Sequence, residues 1–112
     1  MQKYQLGEFE EIVMLTVGVL YDQAYGIAIK QEITDRLERK VSVGALQVAL
    51  RRLEEKGYLS SRSGESNPKR GGRPKRFFTI TALGQEALQH KRDTRNQLWN
   101  AIPPGALQLK RF

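Results

Sequence analysis

The sequence predicts a mainly α fold with a small β-hairpin: a winged helix-turn-helix followed by a C-terminal dimerisation helix. Three observations predict it. A run with helical periodicity, SVGALQVALRRLEEK, closes at Gly57; two short segments rich in aromatic and hydroxyl side chains follow, separated by a Gly/Pro-rich loop; and the second segment ends at Thr81, ahead of another helical run. The loop also carries a chemical signal, because Lys69, Arg70, Arg73, Lys75 and Arg76 fall within eight residues. That is more like-signed charge than a hairpin tip needs for solubility, and it points to phosphate contacts.

Taken in order, residues 6–20 read as a first helix. Its acidic start, FEE, suits a helix N-terminus, and its later part, IVMLTVGVL, is apolar nearly all the way round. A helix of that kind must be covered on more than one side, so the core is expected on one side and a partner subunit on the other, through Leu6, Phe9, Val13 and Val17. DQAYG breaks the pattern. Ile29, Ile33 and Leu37 then share one face of a second helix, with Lys30 on its polar side as a candidate phosphate clamp. Ser42 offers an N-cap oxygen to a third helix, in which Val43, Leu46, Leu50 and Leu53 recur at core spacing before Gly57 stops it. Tyr58 to Ser63 and Lys75 to Thr79 read as antiparallel strands. Thr81 caps a final helix, interrupted by the polar stretch QHKRDTRNQ and ended by Pro103 and Pro104. Residues 1–80 are therefore expected to form the winged-helix unit, 81–104 the dimerisation helix and 105–112 a frayed tail.

A chain of 112 residues and 12.8 kDa holds one small core. Its formal charge of +7 is unevenly placed: residues 1–40 hold five basic and seven acidic side chains, residues 41–112 fourteen and five. The positive field thus belongs to the third helix and the basic loop, which favours a polyanionic partner over a general solubility bias. Cysteine is absent, which removes disulfides, thiolate metal sites and cysteine nucleophiles together. His90 is the single histidine and cannot by itself build a metal site or serve a distant serine as a base, so neither enzyme chemistry nor a cofactor is expected. With no leader-like or membrane-length apolar run in view, a cytoplasmic protein is the expectation.

The third helix is the candidate reading element. With Leu46 at the centre of its buried face, Gly44, Val48, Arg51, Arg52 and Glu55 fall on the opposite side. Gly44, Ala45 and Val48 make its N-terminal part small enough to approach base edges, Ser42, Gln47 and Arg52 join them as candidate DNA contacts, and Arg51 reaches a guanine or a phosphate. The competing reading is a solvated face on which Arg52 pairs with Glu55. In the loop, Lys69, Arg70, Arg73, Lys75 and Arg76 suit a narrow minor groove or the phosphates beside it. Near the C-terminus Leu98, Trp99 and Ile102 form an apolar stripe with little chain left to cover it; Trp99 reads as an interface anchor, the wall of a ligand pore or an exposed ring.

Over roughly residues 6–90 the chain resembles the PadR family of winged-helix DNA-binding regulators. LGEFEEIVM, YGIAIKQEI, GALQVALRRLEEKGYL and GGRPKRFFTITALGQEAL carry the resemblance, in the family's order and spacing. It implies a transcription regulator, a repressor in the first instance, that binds a pseudo-palindromic duplex as a homodimer. The chain is similar to the short subfamily, which dimerises through the first and last helices. Where family members usually carry a Tyr-Pro pair in the third helix, this chain has Gln47 and Val48. Some short relatives bind flat aromatic effectors against a Trp of the last helix, so the resemblance implies a small aromatic effector as a further partner. Counted from ITALG, that Trp corresponds to Arg95, and no effector role transfers to Trp99. The alternative from another class is a winged-helix interaction module that binds an acidic protein or RNA.

Overall fold

The computed structural model describes residues 4–64 and 74–107. Helices α1 (Glu8–Leu20), α2 (Gly26–Leu37) and α3 (Val43–Glu55) precede strands β1 (Leu59–Ser63) and β2 (Arg76–Ile80), and α4 (Ala82–Ala101) closes the chain. The strands pair antiparallel, with Leu59 opposite Ile80 and Ser63 opposite Arg76. Each strand starts one residue later than the sequence predicts, because Tyr58 completes the exit from α3 and is buried in the core. Lys69, Arg70 and Arg73 lie outside the described residues.

The apolar-all-round character of α1 resolves into two faces. Val13, Met14 and Val17 are buried, packed with Ile29 and Ile33 of α2, Leu46, Leu50 and Leu53 of α3, and Phe78 of β2. Leu15 and Val19 are left exposed. This corrects the expectation that Leu6, Val13 and Val17 face a partner: all three are covered within the chain's own core and have almost no surface to offer. Phe9 is half-buried against the same core. Two other apolar positions also fall outside the core their spacing predicts. Val43 is the first residue of α3, and Leu37 the last of α2, so each projects past the end of the packed region and is exposed.

Local chemistry fixes the ends of α3. The Ser42 hydroxyl accepts from the Ala45 amide at 3.1 Å. At the other end Gly57 takes φ 78°, which lets Gly57 N–H reach Glu54 and Tyr58 N–H reach Leu53, both at 2.9 Å. The start of α4 is tied to that turn: Thr81 Oγ1 donates to the Gly57 carbonyl at 2.6 Å and accepts from the Gly84 amide at 3.0 Å. Gly84 lies so close to the turn that a Cβ there would stand 2.1 Å from the Tyr58 carbonyl oxygen.

Residues 4–6 strap the domain together across α3 and α4. Lys56 Nζ donates to the Gln5 carbonyl at 2.9 Å and to Glu10 at 2.8 Å, Tyr58 Oη accepts from the Gln5 amide at 3.1 Å, and Lys91 Nζ donates to the Leu6 carbonyl. Burial pushes the Glu10 carboxyl up, but hydrogen bonds from Lys56 and the Gly7 amide, with the nearby charges of Lys56 and Arg52, outweigh it and hold the group below the ordinary carboxylate range. Helix α4 spans about 30 Å at the usual helical rise. Its first half buries Gly84 and Ala87, whereas every side chain from Arg92 onward is exposed.

Candidate nucleic-acid interface

The buried row of α3, Leu46, Ala49, Leu50 and Leu53, turns the opposite side of the helix outward. Ser42, Gly44, Ala45, Gln47, Val48, Arg51 and Arg52 are all exposed there, in the arrangement that helical geometry predicts. A Cβ added at Gly44 would meet nothing within 4 Å, so the N-terminal half of this face is open as well as small. The ion pair along the helix differs from the expected one: Glu55 lies 3.9 Å from Arg51, the i,i+4 neighbour, rather than beside Arg52. Both side chains of that pair are solvent-exposed, and at this distance the contact is weak.

The hairpin is braced against α2 by contacts that no local sequence signal announces. Tyr25 forms a one-residue bridge with Phe77, and the Phe78 amide donates to the Ala24 carbonyl at 2.8 Å. The Tyr25 and Phe77 rings meet edge to face with centroids 5.5 Å apart. Lys75 Nζ sits 4.1 Å from the Tyr25 centroid and the Arg62 guanidinium 4.8 Å from that of Phe77. These stacks hold two cations at the base of the hairpin, and Lys75 borders the cleft between α2 and α3. Arg76 stands 3.9 Å from Glu54, whose other oxygen accepts from the Ser61 hydroxyl at 2.7 Å.

Two concavities flank the N-terminal end of α3. One, of about 260 Å³, lies between α2, α3 and β2, with Lys30, Lys75 and Arg76 around an apolar lining to which Ile27 and Val43 belong, and with Gln47 at its edge. Lys30 is thus brought beside the hairpin cations. Among the described residues, neither Lys30 nor Lys75 has a carboxylate within 4 Å. The other concavity, lined by Phe9, Arg39, Lys40, Ser42 and Ala45, adds two cations that the sequence reading passed over. Arg39 is held by Glu8 at 3.0 Å, leaving Lys40 the exposed charge next to the N-cap. Lys40 and Arg62 were both findable as charges flanking the recognition run; Val43 was not, since its spacing assigns it to a core, and Ile27 lies off the face that Ile29 and Ile33 define and so carries no periodic signal.

The far end of α4 presents a different surface. Leu98 and Trp99 are 67% and 65% exposed, with Ile102 beside them. Between α1 and α4 lies a groove lined by Leu15, Leu88, Arg92 and Arg95, and Arg95 closes on the buried Glu11 at 2.9 Å. The position at which the resemblance implies an aromatic effector platform is therefore occupied by a paired guanidinium. His90 packs near the ring of Tyr4, 5.3 Å away. Among the described residues no cluster of three potential metal ligands occurs, and no helix is long and apolar enough to cross a membrane.

Residues 15–90 match the model of the transcriptional regulator PadR-like family. Among solved structures, the chain is similar to a PadR-like transcription factor from Bacteroides fragilis, with 26% identity, a TM-score of 0.69, and coverage of 82% of this chain and 84% of the other. It is also similar to a PadR family transcriptional regulator from Eggerthella lenta, at 25% identity and TM-score 0.65, over 83% of this chain and 80% of that one. A PadR family transcription regulator from Clostridium difficile, 24% identical, shares the fold with a TM-score of 0.60 over 82% of this chain and 92% of its own. No curated protein sequence matches the chain.

Proposed function

Because the chain belongs to the PadR-like family of transcriptional regulators, we propose that it represses transcription as a homodimer seated on a roughly two-fold-symmetric duplex site. Helix α3 enters the major groove by its N-terminal half, and the hairpin follows the adjoining backbone. The observation that carries this reading is the pairing of a small, open α3 face with cations on both flanks: Lys40 on one side, Lys30, Lys75 and Arg76 on the other. Small side chains let a helix approach base edges, while lysines without carboxylate partners are available to phosphates.

Dimerisation supplies the symmetry. Leu98, Trp99 and Ile102 lie at the exposed far end of α4, beyond the Arg95–Glu11 pair, and Leu15 of α1 borders the groove beside α4. Packing this stripe against a second copy removes the Trp99 ring and the Leu98 and Ile102 side chains from water. Two recognition helices then meet successive major-groove faces about 34 Å apart, and the bound dimer represses by covering promoter DNA.

Capture of genomic fragments by the purified protein, followed by footprinting, tests the reading. The expected result is protection of two inverted half-sites centred about one helical turn apart, with sedimentation showing a dimer and transcription from the protected promoter reduced. Binding that ignores DNA sequence, or tighter binding to RNA or to an acidic protein, would overturn it.

A further inference from the structure

The exposed tip of α3 has a chemistry more specific than a general DNA-facing helix. Val43 is 58% exposed and Val48 37%, and across the cleft Ile27 of α2 is 77% exposed. Apolar side chains held out into water at the rim of a cationic surface contribute nothing to this chain's core. Ala45 adds a further methyl, and Gln47 presents a carboxamide that makes no hydrogen bond with any described residue. Val43 and Gln47 form one stripe along the helix, 40° apart, while Gly44, Val48 and Arg51 form the next.

Charge enters this face only at Arg51, eight residues and about 12 Å further along the axis than Val43. In a helix that inserts its N-terminal end first, Arg51 is left towards the backbone, where Glu55 accompanies it at 3.9 Å. The first two turns of α3, the part that enters deepest, therefore hold no Arg or Lys, the side chains that read guanine through O6 and N7. It holds the two groups that suit the other base pair: aliphatic methyls for the thymine C5-methyl, and a carboxamide that donates to adenine N7 while accepting from N6.

We propose that each half-site is read at its centre as A·T base pairs, with Val43 and Val48 packing on thymine methyls and Gln47 paired with an adenine edge. The proposal rests on the reading of α3 as a major-groove helix and names the bases that it takes. Arg51 and the flanking lysines position the helix through phosphates.

The test begins with selection of sites from a random duplex library by the intact protein. Enrichment of inverted half-sites supports the DNA-binding reading by itself; absence of any enriched sequence overturns that reading and this inference with it. In an enriched site, each thymine is then replaced singly by deoxyuridine, which removes only the methyl group. One or two such changes per half-site are expected to weaken binding about four-fold each, and the penalty is expected to vanish in Val43→Ala or Val48→Ala protein. Replacing the contacted adenine by 7-deazaadenine is expected to cost about ten-fold in the wild type and nothing further in Gln47→Ala. Because all three side chains are exposed, the variants are expected to keep the wild-type circular dichroism and dimer mass. Selected sites with G·C at the half-site centres, or uracil duplexes bound as tightly as thymine duplexes at every position, would overturn the inference while leaving the DNA-binding reading intact.

Discussion

The face built by α3 and the hairpin and the far end of α4 both expose apolar side chains, yet their charges are arranged oppositely. Beside Trp99, the cations of α4 are already engaged: Arg95 with Glu11 at 2.9 Å, Arg92 with Asp93 at 3.1 Å, Lys91 with the Leu6 carbonyl. Beside Val43 and Val48, the contacts are long, as for Arg51 and Arg76 at 3.9 Å, or are made to aromatic faces, as for Lys75. Apolar surface whose neighbouring charges are satisfied internally is suited to another apolar surface. Apolar surface ringed by cations with charge to spare suits a polyanion that also carries methyl groups. The same composition thus yields two kinds of exposed surface, distinguished by where the carboxylates sit.

The largest break in this comparison comes from the α4 end. Trp99→Ala is expected to shift the protein from dimer to monomer in sedimentation, since a central aromatic anchor contributes about 2 kcal/mol or more. Losing the dimer removes the second half-site from reach, so affinity for the full site falls by roughly 10²–10⁴, whereas affinity for an isolated half-site is unchanged. An equal loss on both would place Trp99 in the fold or at the DNA rather than between subunits.

Next in size is the removal of charge from the other face. Replacing Lys30, Lys75 and Arg76 together by Ala is expected to weaken selected and random duplexes alike and to flatten the salt dependence by roughly 0.9 unit of log-log slope for each phosphate no longer neutralised. Arg92→Ala serves as the control, because its guanidinium is turned to Asp93 on α4; it is expected to leave the slope unchanged. A triple variant with the wild-type slope would make the hairpin base a bystander.

How much of this contrast the sequence carries depends on how local the determining chemistry is. Ser42, Gly57 and Thr81 act on backbone groups within a few residues, so the ends of α3 and the start of α4 are readable directly from residue type. The exposed stripe of α3 is equally readable, because Leu46, Leu50 and Leu53 fix its phase. Helix α1 defeats the same method: with apolar residues all round there is no phase to read, and only packing against α2, α3 and β2 selects Val13 and Val17 for the core and leaves Leu15 outside. Val43 misleads for a related reason, since periodicity continues to the first residue of a helix while the core beneath it does not. The clamp of Lys75, Tyr25, Phe77 and Arg62 joins residues some fifty positions apart, and no local pattern contains it.

The two faces are held in register where the start of α4 packs on the exit of α3, and Gly84 is the tightest point of that contact. Gly84→Ala places a methyl group against the Tyr58 carbonyl, at a distance of 2.1 Å that real atoms do not tolerate, and Met14 stands 3.0 Å away on the core side. Neither neighbour is a free side-chain end on the surface, so α4 must move. The expected cost is about 1–3 kcal/mol in denaturant unfolding, and the tilt of α4 changes the separation of the two recognition helices. A wild-type midpoint together with wild-type spacing preference, measured on sites with one or two base pairs inserted between the half-sites, would show the joint to be compliant.

The smallest expected effect concerns the strap that anchors α1 to the end of α3. Glu10 accepts from Lys56 at 2.8 and 3.0 Å and from the Gly7 amide at 3.0 Å, and its folded pKa lies below the ordinary value of 4.5. A carboxyl whose pKa is depressed on folding binds fewer protons in the folded than in the unfolded chain. Its contribution to stability is therefore complete above the unfolded value and is lost as pH falls through the folded one. Glu10→Gln keeps the shape of the side chain and its ability to accept from Gly7 while removing the charge. The variant is expected to be less stable than wild type by about 1–2 kcal/mol at neutral pH, with the gap closing as the pH is taken below 4.5. Comparing the two proteins at each pH cancels the titration of the remaining acidic groups, so the closure belongs to the Glu10 carboxylate. A gap that stays constant down to pH 3 would mean that the strap is held by the Lys56 bond to the Gln5 carbonyl and by the core packing of Leu6, with the ion pair contributing nothing measurable.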